Sequence, residues 1–212
     1  MIANPTHDAK PAGASRDSIL AVAAELMSEN GYAGTSISMI SRRSGLPASS
    51  IYWHFGSKAR LLDEVLEQAT GQLLAPLHRL DRQSSGTPEE QIQELFLACV
   101  AEPGSERAAS FRLLAMIGIE RGGGSSAAIR RLRRQLLLRW KRVFRQLSLG
   151  VPEAEADSAV ETLARFAVAA GDGISFAAQV DPDLDGEQLG QMAAAAFTAL
   201  ASAYLSRNTD AA

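Results

Sequence analysis

The sequence predicts an all-α protein of about nine helices, three short ones at the N-terminus and a larger helical body behind them. Three observations predict this. No stretch alternates apolar and polar side chains in a β-branched run, as a half-buried strand would. Apolar side chains recur at helical spacing from Arg16 onwards. Glycine, proline and cap-forming residues then cut the chain into helix-sized pieces.

The first helix is expected over Arg16 to Glu29, where Ile19, Leu20, Ala23, Leu26 and Met27 form one apolar stripe and Gly31 supplies a stop. Thr35 and Ser36 are N-cap candidates for a short second helix that ends before Gly45. A third short helix follows Pro47, because proline is tolerated in a first helical turn. Ser57 can cap a long fourth helix reaching Leu80, and "DRQSSGT" is the linker behind it. Thr87-Pro88-Glu89-Glu90 starts the fifth with a cap, a proline and two acids. The sixth spans about 105–121 and stops at "GGG"; the seventh covers about 126–148. The eighth and ninth, about 153–180 and 186–206, are alanine-rich and joined by "DPDLDG". Residues 1–15 and 208–212 lack apolar periodicity and are expected to be flexible tails.

Composition narrows the class. The N-terminus has no apolar core of a signal peptide, and the apolar stretch Met192–Leu205 is shorter than the ~20 residues a membrane span needs. A cytoplasmic protein with no membrane partner is expected. Cys99 is the only cysteine, so no intrachain disulfide can form. Residues 1–60 hold six basic and four acidic side chains, net +2, which leaves −5 for the remainder of a chain of net charge −3. A basic head on an acidic body suits a nucleic-acid partner.

The strongest local signal lies at 36–55. Ile37 and Ile40 sit one turn apart, Gly45 stands where a tight turn needs a positive φ, and Leu46, Ile51 and Phe55 return to the same small core. Two short helices joined by such a turn form a helix-turn-helix, whose second helix enters the DNA major groove. At about 100° per residue, with Ile51 inward, Ser49 and Trp53 point outward and Ser50 and Tyr52 flank them. Small hydroxyl residues allow close approach to base edges, while Tyr52 and His54 can donate to phosphates. The plainer alternative is a local aromatic core, which suits Phe55 best and Trp53 least.

"GYAGTSISMISRRSGLPASSIYWHFGSKARLL", Gly31 to Leu62, resembles the N-terminal DNA-binding domain of TetR-family transcriptional regulators. The shared features are the Gly-Tyr pair, the Thr cap and following Ile, the Gly-Leu turn, Ile-Tyr-x-His-Phe, and Ser-Lys before a Leu pair. With the first helix the resemblance covers about 47 residues. It implies a helical dimer with a head at 16–60 and a ligand-binding and dimerisation body at 61–207. It also implies a repressor released from a palindromic double-stranded operator by a small-molecule effector. By position, Thr35 and Ser36 fall at the start of the second helix, Thr35 on a phosphate. Pro47, Ala48, Ser49 and Ser50 fall at the groove-entering end, and Tyr52, Trp53, His54 and Lys58 position the backbone. Pro47 stands where the family often has a capping hydroxyl, and Ser41 and Ser44 replace common alanines.

In the body, Phe96, Cys99, Phe111, Met116, Trp140, Phe144, Phe166 and Phe176 are candidates to line an effector cavity, with Asp172 fixing a cationic group. Each aromatic residue could equally be ordinary core. Dimerisation is expected through small residues of the last two helices: Ala164, Ala167 and Gly171, then Ala193 and Ala196, with Phe197, Leu200 and Tyr204 adding area. Eight basic residues between Arg130 and Arg145 occur without one acid, while 146–187 hold nine acids and only Arg165 as a base. A solvated helix face explains the basic cluster; attraction for DNA or an anion is the sharper alternative.

No enzyme is expected, nor a cofactor or metal. His7, His54 and His78 have no ligand spacing, "GGGSS" lacks the lysine of a phosphate loop, and Cys99 has no nucleophile signature. Two alternatives stay open: a constitutive or activating regulator without an inducer, and a non-specific nucleic-acid binder using the 130–145 cluster.

Overall fold

The computed structural model describes residues 12–83, 86–99, 105–120, 127–147, 153–181 and 183–207. Among these residues there are nine α-helices and no strand. Helix α1 is Ala12–Gly34, α2 Ile37–Ser44, α3 Ala48–Phe55 and α4 Lys58–Gln83. The body continues with α5 Pro88–Cys99, α6 Glu106–Glu120, α7 Ala127–Leu147, α8 Glu153–Val180 and α9 Gly186–Arg207. The expected tail at 1–15 is corrected at its inner end, since α1 already starts at Ala12; residues 1–11 and the tail at 208–212 lie outside the described residues.

Local chemistry sets the three short helices. The Ser36 hydroxyl accepts from the Met39 amide at 3.2 Å and caps α2. Gly45 ends α2 in the left-handed region, φ 70 and ψ 13, the conformation of a glycine stop. Ser41 donates to the Leu46 carbonyl at 2.7 Å, so its hydroxyl closes the inter-helix turn instead of bonding back into its own helix. Pro47 precedes α3 and contributes no side-chain cap. Ser57 accepts from the Arg60 amide at 3.2 Å and opens α4.

At Gly31, with φ 71 and ψ 174, the chain leaves helical geometry at the expected stop, and a short turn through Gly34 carries it across the kink to α2. Helix α4 then joins head to body without a break. Its Leu61, Leu62 and Val65 share a buried core with Ile19, Met27, Ile40, Ile51 and Phe55. The head therefore borrows the start of α4, and a boundary drawn at residue 60 cuts through a helix that serves both parts.

In the body, α6 packs on α1 and α4, α7 on α8, and α5 on α9. The aromatic centre is continuous: the Phe96 ring lies 4.8 Å from Trp140 and 5.0 Å from Phe197, and Trp140 stacks on Phe144 at 5.6 Å. Such offset pairs add to the stabilisation from buried area. No helix among the described residues is long and apolar enough to cross a membrane.

Candidate nucleic-acid interface

The buried side of α3 carries Ile51 and Phe55, which anchor it to α1, α2 and α4. Its opposite side is open: Trp53 is 75% exposed and Tyr52 52%. Ser49 is exposed beside them, and Ala48 and Ser50 are half-buried. His54 meets Trp53 edge-on, with ring centroids 4.6 Å apart, so the imidazole limits how the indole can turn. Two large rings held in water on a helix of this length form a surface prepared for a partner. Pro47 is exposed at the start of the helix, so the end expected to enter the groove is accessible.

Two residues expected at the phosphates are placed differently. Thr35 is buried, and its hydroxyl is directed to the Leu26 and Gly31 carbonyls at 3.0 and 2.8 Å. Its side chain locks α2 against the kink and does not reach the surface; Ser36 is the cap. Lys58 is half-buried, donates to the Tyr32 carbonyl and lies 4.1 Å from the Tyr32 ring centroid. Its ammonium is thus engaged within the head, a cation–π contact included.

Sequence reasoning also passed over two cations. Arg42 in the last turn of α2 and Arg60 in the first turn of α4 are exposed and make no ion pair among the described residues. Arg43 is paired with Glu25, and Arg16 with Glu64. The unpaired positions were in principle legible, because Arg42 lies well round the helix from the inward Ile40.

The expected effector cavity is corrected. Phe96, Trp140 and Phe144 are fully buried against one another as core. Phe166 and Phe176 are 54% and 60% exposed on the outside of α8, Met116 is partly exposed, and Phe111 is half-buried. These residues do not enclose one space. Asp172 is paired with Arg133, which occupies the carboxylate proposed for a ligand. Cys99 packs under Gly171, where an added Cβ would come within 2.9 Å of its Sγ. Burial pushes the Cys99 thiol up to about 12, with the Asp172 charge adding to the rise, so it is a neutral packing group at ordinary pH. A groove of about 290 Å³ lies instead between α1, α4 and α6, lined in part by Ala24, Ser28, Val65, Gln72 and Leu113.

The expected dimer face is corrected as well. Ala164, Ala167, Gly171 and Phe197 are buried within the chain's own core, and Ala193 is half-buried. Ala196 and Leu200 are exposed, and the side chain of Tyr204 lies outside the described residues. Exposed instead are Phe166, Ala169, Gly173, Phe176 and Val180 on α8, and Met192, Ala196, Ala199 and Ala203 on α9. Both rows step by three and four residues, the spacing of a helix-packing seam.

The basic face of α7 is largely paired. Lys141 meets Glu161 at 2.6 Å, Arg145 meets Asp157 at 2.7 Å, Arg133 meets Asp172 and Arg131 meets Glu67. The hydrogen bond from Lys141 holds the Glu161 carboxyl below the usual range. Three of these acids belong to α8, the acidic segment that the sequence offers as a counterweight.

Helices α2 and α3 thus form a helix-turn-helix with an exposed aromatic face, set on a helical body. Residues 19–65 match the family described as "Bacterial regulatory proteins, tetR family". Over these residues, the head of the chain is similar to the DNA-binding domain of that family. It is 34% identical over 83 residues to the HTH-type transcriptional repressor KstR2 of Mycobacterium tuberculosis, covering 39% of this chain and 41% of that one. It is 29% identical over 82 residues to the HTH-type transcriptional regulator AcrR of Shigella flexneri, covering 39% and 38%. The match thus spans about two-fifths of the curated relatives' length. The structure of KstR2 superposes with TM-score 0.67 at 23% identity, covering 87% of this chain and 93% of that one. A TetR-family regulator from Streptomyces coelicolor does so with TM-score 0.70 at 18% identity, covering 91% and 97%. At these identities the structural likeness speaks for the fold.

Proposed function

We propose that this chain is a transcriptional repressor that binds a palindromic operator as a homodimer and is released by a small-molecule effector. The observation that carries the DNA-binding part is the exposure of Trp53 and Tyr52 opposite the buried Ile51 and Phe55 on α3. In this reading Pro47, Ala48, Ser49 and Ser50 approach base edges, and Tyr52, Trp53 and His54 contact sugar and phosphate. Arg42 and Arg60 supply the phosphate charge that Lys58 spends within the head. Repression is supported by the similarity to KstR2, a transcriptional repressor, over about two-fifths of each chain. Non-specific binding by the 130–145 cluster is disfavoured by the ion pairs that occupy Arg131, Arg133, Lys141 and Arg145.

The homodimer forms along Phe166, Phe176 and Val180 on α8 with Met192 and Leu200 on α9. These are large apolar side chains left in water by the single chain. An isologous pairing of both helices with their twofold mates would cover them. Effector release is supported by the arrangement of head and body, which share α4 and a contact between α1 and α6. A molecule that fits one pose of the body better than another shifts the head through these helices.

Trp53→Ala is expected to leave thermal stability within about 0.5 kcal/mol, as for a surface site. It should weaken binding to a duplex selected from a random library by more than about 1 kcal/mol. A loss of stability with unchanged affinity would remove Trp53 from the interface. Phe176→Arg should convert the dimer to monomers in light scattering, by burying an unpaired charge; an intact dimer would place the interface elsewhere. Calorimetry with an effector found by screening should give unequal affinities for free and duplex-bound protein, a coupling of about 1–3 kcal/mol. Equal affinities would leave a regulator without induction.

A further inference from the structure

The kink in α1 has a partner in the body. Gly31, at φ 71 and ψ 174, takes the chain out of the helix, and the turn that restarts behind it needs acceptors for its first amides. Glu120 supplies them. Its Oε2 accepts from the Tyr32 amide and its Oε1 from the Ala33 amide, both at 2.9 Å. The two ends of this contact are 88 and 87 residues apart in sequence.

Three features single Glu120 out. It is the last residue of α6, and no basic residue occupies that last turn. A carboxylate at a helix C-terminus is disfavoured by the helix dipole, so its presence there breaks a local rule and calls for a compensating contact. Both carboxylate oxygens are used, in a forked arrangement on consecutive amides, which fixes orientation as well as distance. Gly31 also leaves room for it: a Cβ at position 31 would stand 3.2 Å from Oε2 and 3.8 Å from the Met116 sulfur.

The same short turn is held from the head side. Lys58 donates to the Tyr32 carbonyl, and Thr35 is directed to the Gly31 carbonyl. Residue 32 is thus gripped at its amide by the body and at its carbonyl by the start of α4. The turn leads directly into α2 and so into α3, and a change in its pose tilts both.

We propose that Glu120 is a positioning residue for DNA binding: its carboxylate clamps the Tyr32 and Ala33 amides and so sets the pose in which α2 and α3 meet the duplex. This rests on the DNA-binding reading above. Pulling the end of α6 away from the kink withdraws both acceptors at once, so the clamp is also the point at which the body can release the head.

The sign of the effect separates this role from simple electrostatics. Removing an acid near a DNA-binding head should by charge alone tighten binding to any duplex. Glu120→Ala should instead weaken binding to the library-selected duplex by about tenfold and leave binding to a random duplex unchanged or tighter. Glu120→Gln loses the same charge but keeps one acceptor oxygen, and should fall between wild type and Glu120→Ala. Amide hydrogen exchange of the free protein should quicken at Tyr32 and Ala33 by about tenfold in Glu120→Ala, with Ile51 and Phe55 unaffected. Wild-type affinity or tighter binding in both variants overturns the proposal, as does unchanged exchange at the two amides. If the wild-type protein enriches no duplex, the DNA-binding reading fails, and the exchange result alone decides whether the clamp exists.

Discussion

Helix α3 has eight residues, too few to hold together in water without packing, since isolated helices shorter than about 12–15 residues are marginal. It exists because Ile51 and Phe55 are buried against α1, α2 and the start of α4. That single constraint orders the rest of the head. With two positions fixed inward, the helix period sends Tyr52 and Trp53 outward. The Gly45 turn, the Ser36 cap and the Ser41 bond to Leu46 all hold α2 at the angle that lets Ile51 reach the core. The open aromatic face is thus a consequence of how the small core is closed. The two tryptophans show the contrast: Trp140 is 1% exposed among aromatic rings, and Trp53 is 75% exposed.

The head does not close by itself. It draws Leu61, Leu62 and Val65 from α4 and, at the kink, two acceptors from α6. Regulation through the body is physically reasonable for that reason, because no movement of α4 or α6 can leave the head wholly indifferent. In the body the ion pairs between α7 and α8 tie down a face that would otherwise attract any polyanion. These pairs are largely exposed and each adds little stability. Their effect is to lower the local positive field, which leaves the head as the part best suited to DNA.

What the sequence made legible was local. Helix positions, the Ser36 cap, the left-handed Gly45 and the outward side of α3 all follow from spacing within a few turns. What it hid depended on which helix lands on which. Thr35 and Ser36 are both good caps by type, and only the packing of α2 against the kink turns Thr35 inward. Lys58 looks free in sequence, yet Tyr32 takes it. The alanines and glycine at 164, 167 and 171 suggested close approach, correctly, but to the chain's own helices; Gly171 makes room for Cys99. The aromatic residues of the body divided in the same way, Phe96 and Trp140 into the core and Phe166 and Phe176 onto the surface, because heptad spacing on α8 carries no label for partner or self. Glu120 had no sequence signal beyond an acid in an unfavourable last turn.

The most direct measurement of the central claim is acrylamide quenching of tryptophan fluorescence, with and without a saturating library-selected duplex. Acrylamide is uncharged, so it does not compete with DNA for the basic head. The two tryptophans separate cleanly, and Trp53→Phe assigns the accessible one. The account predicts that free protein shows one quenchable tryptophan, that the duplex protects it, and that the signal of buried Trp140 does not change. Equal quenching in the free protein and in the saturated complex would contradict it, because α3 would then bind nothing with its open face.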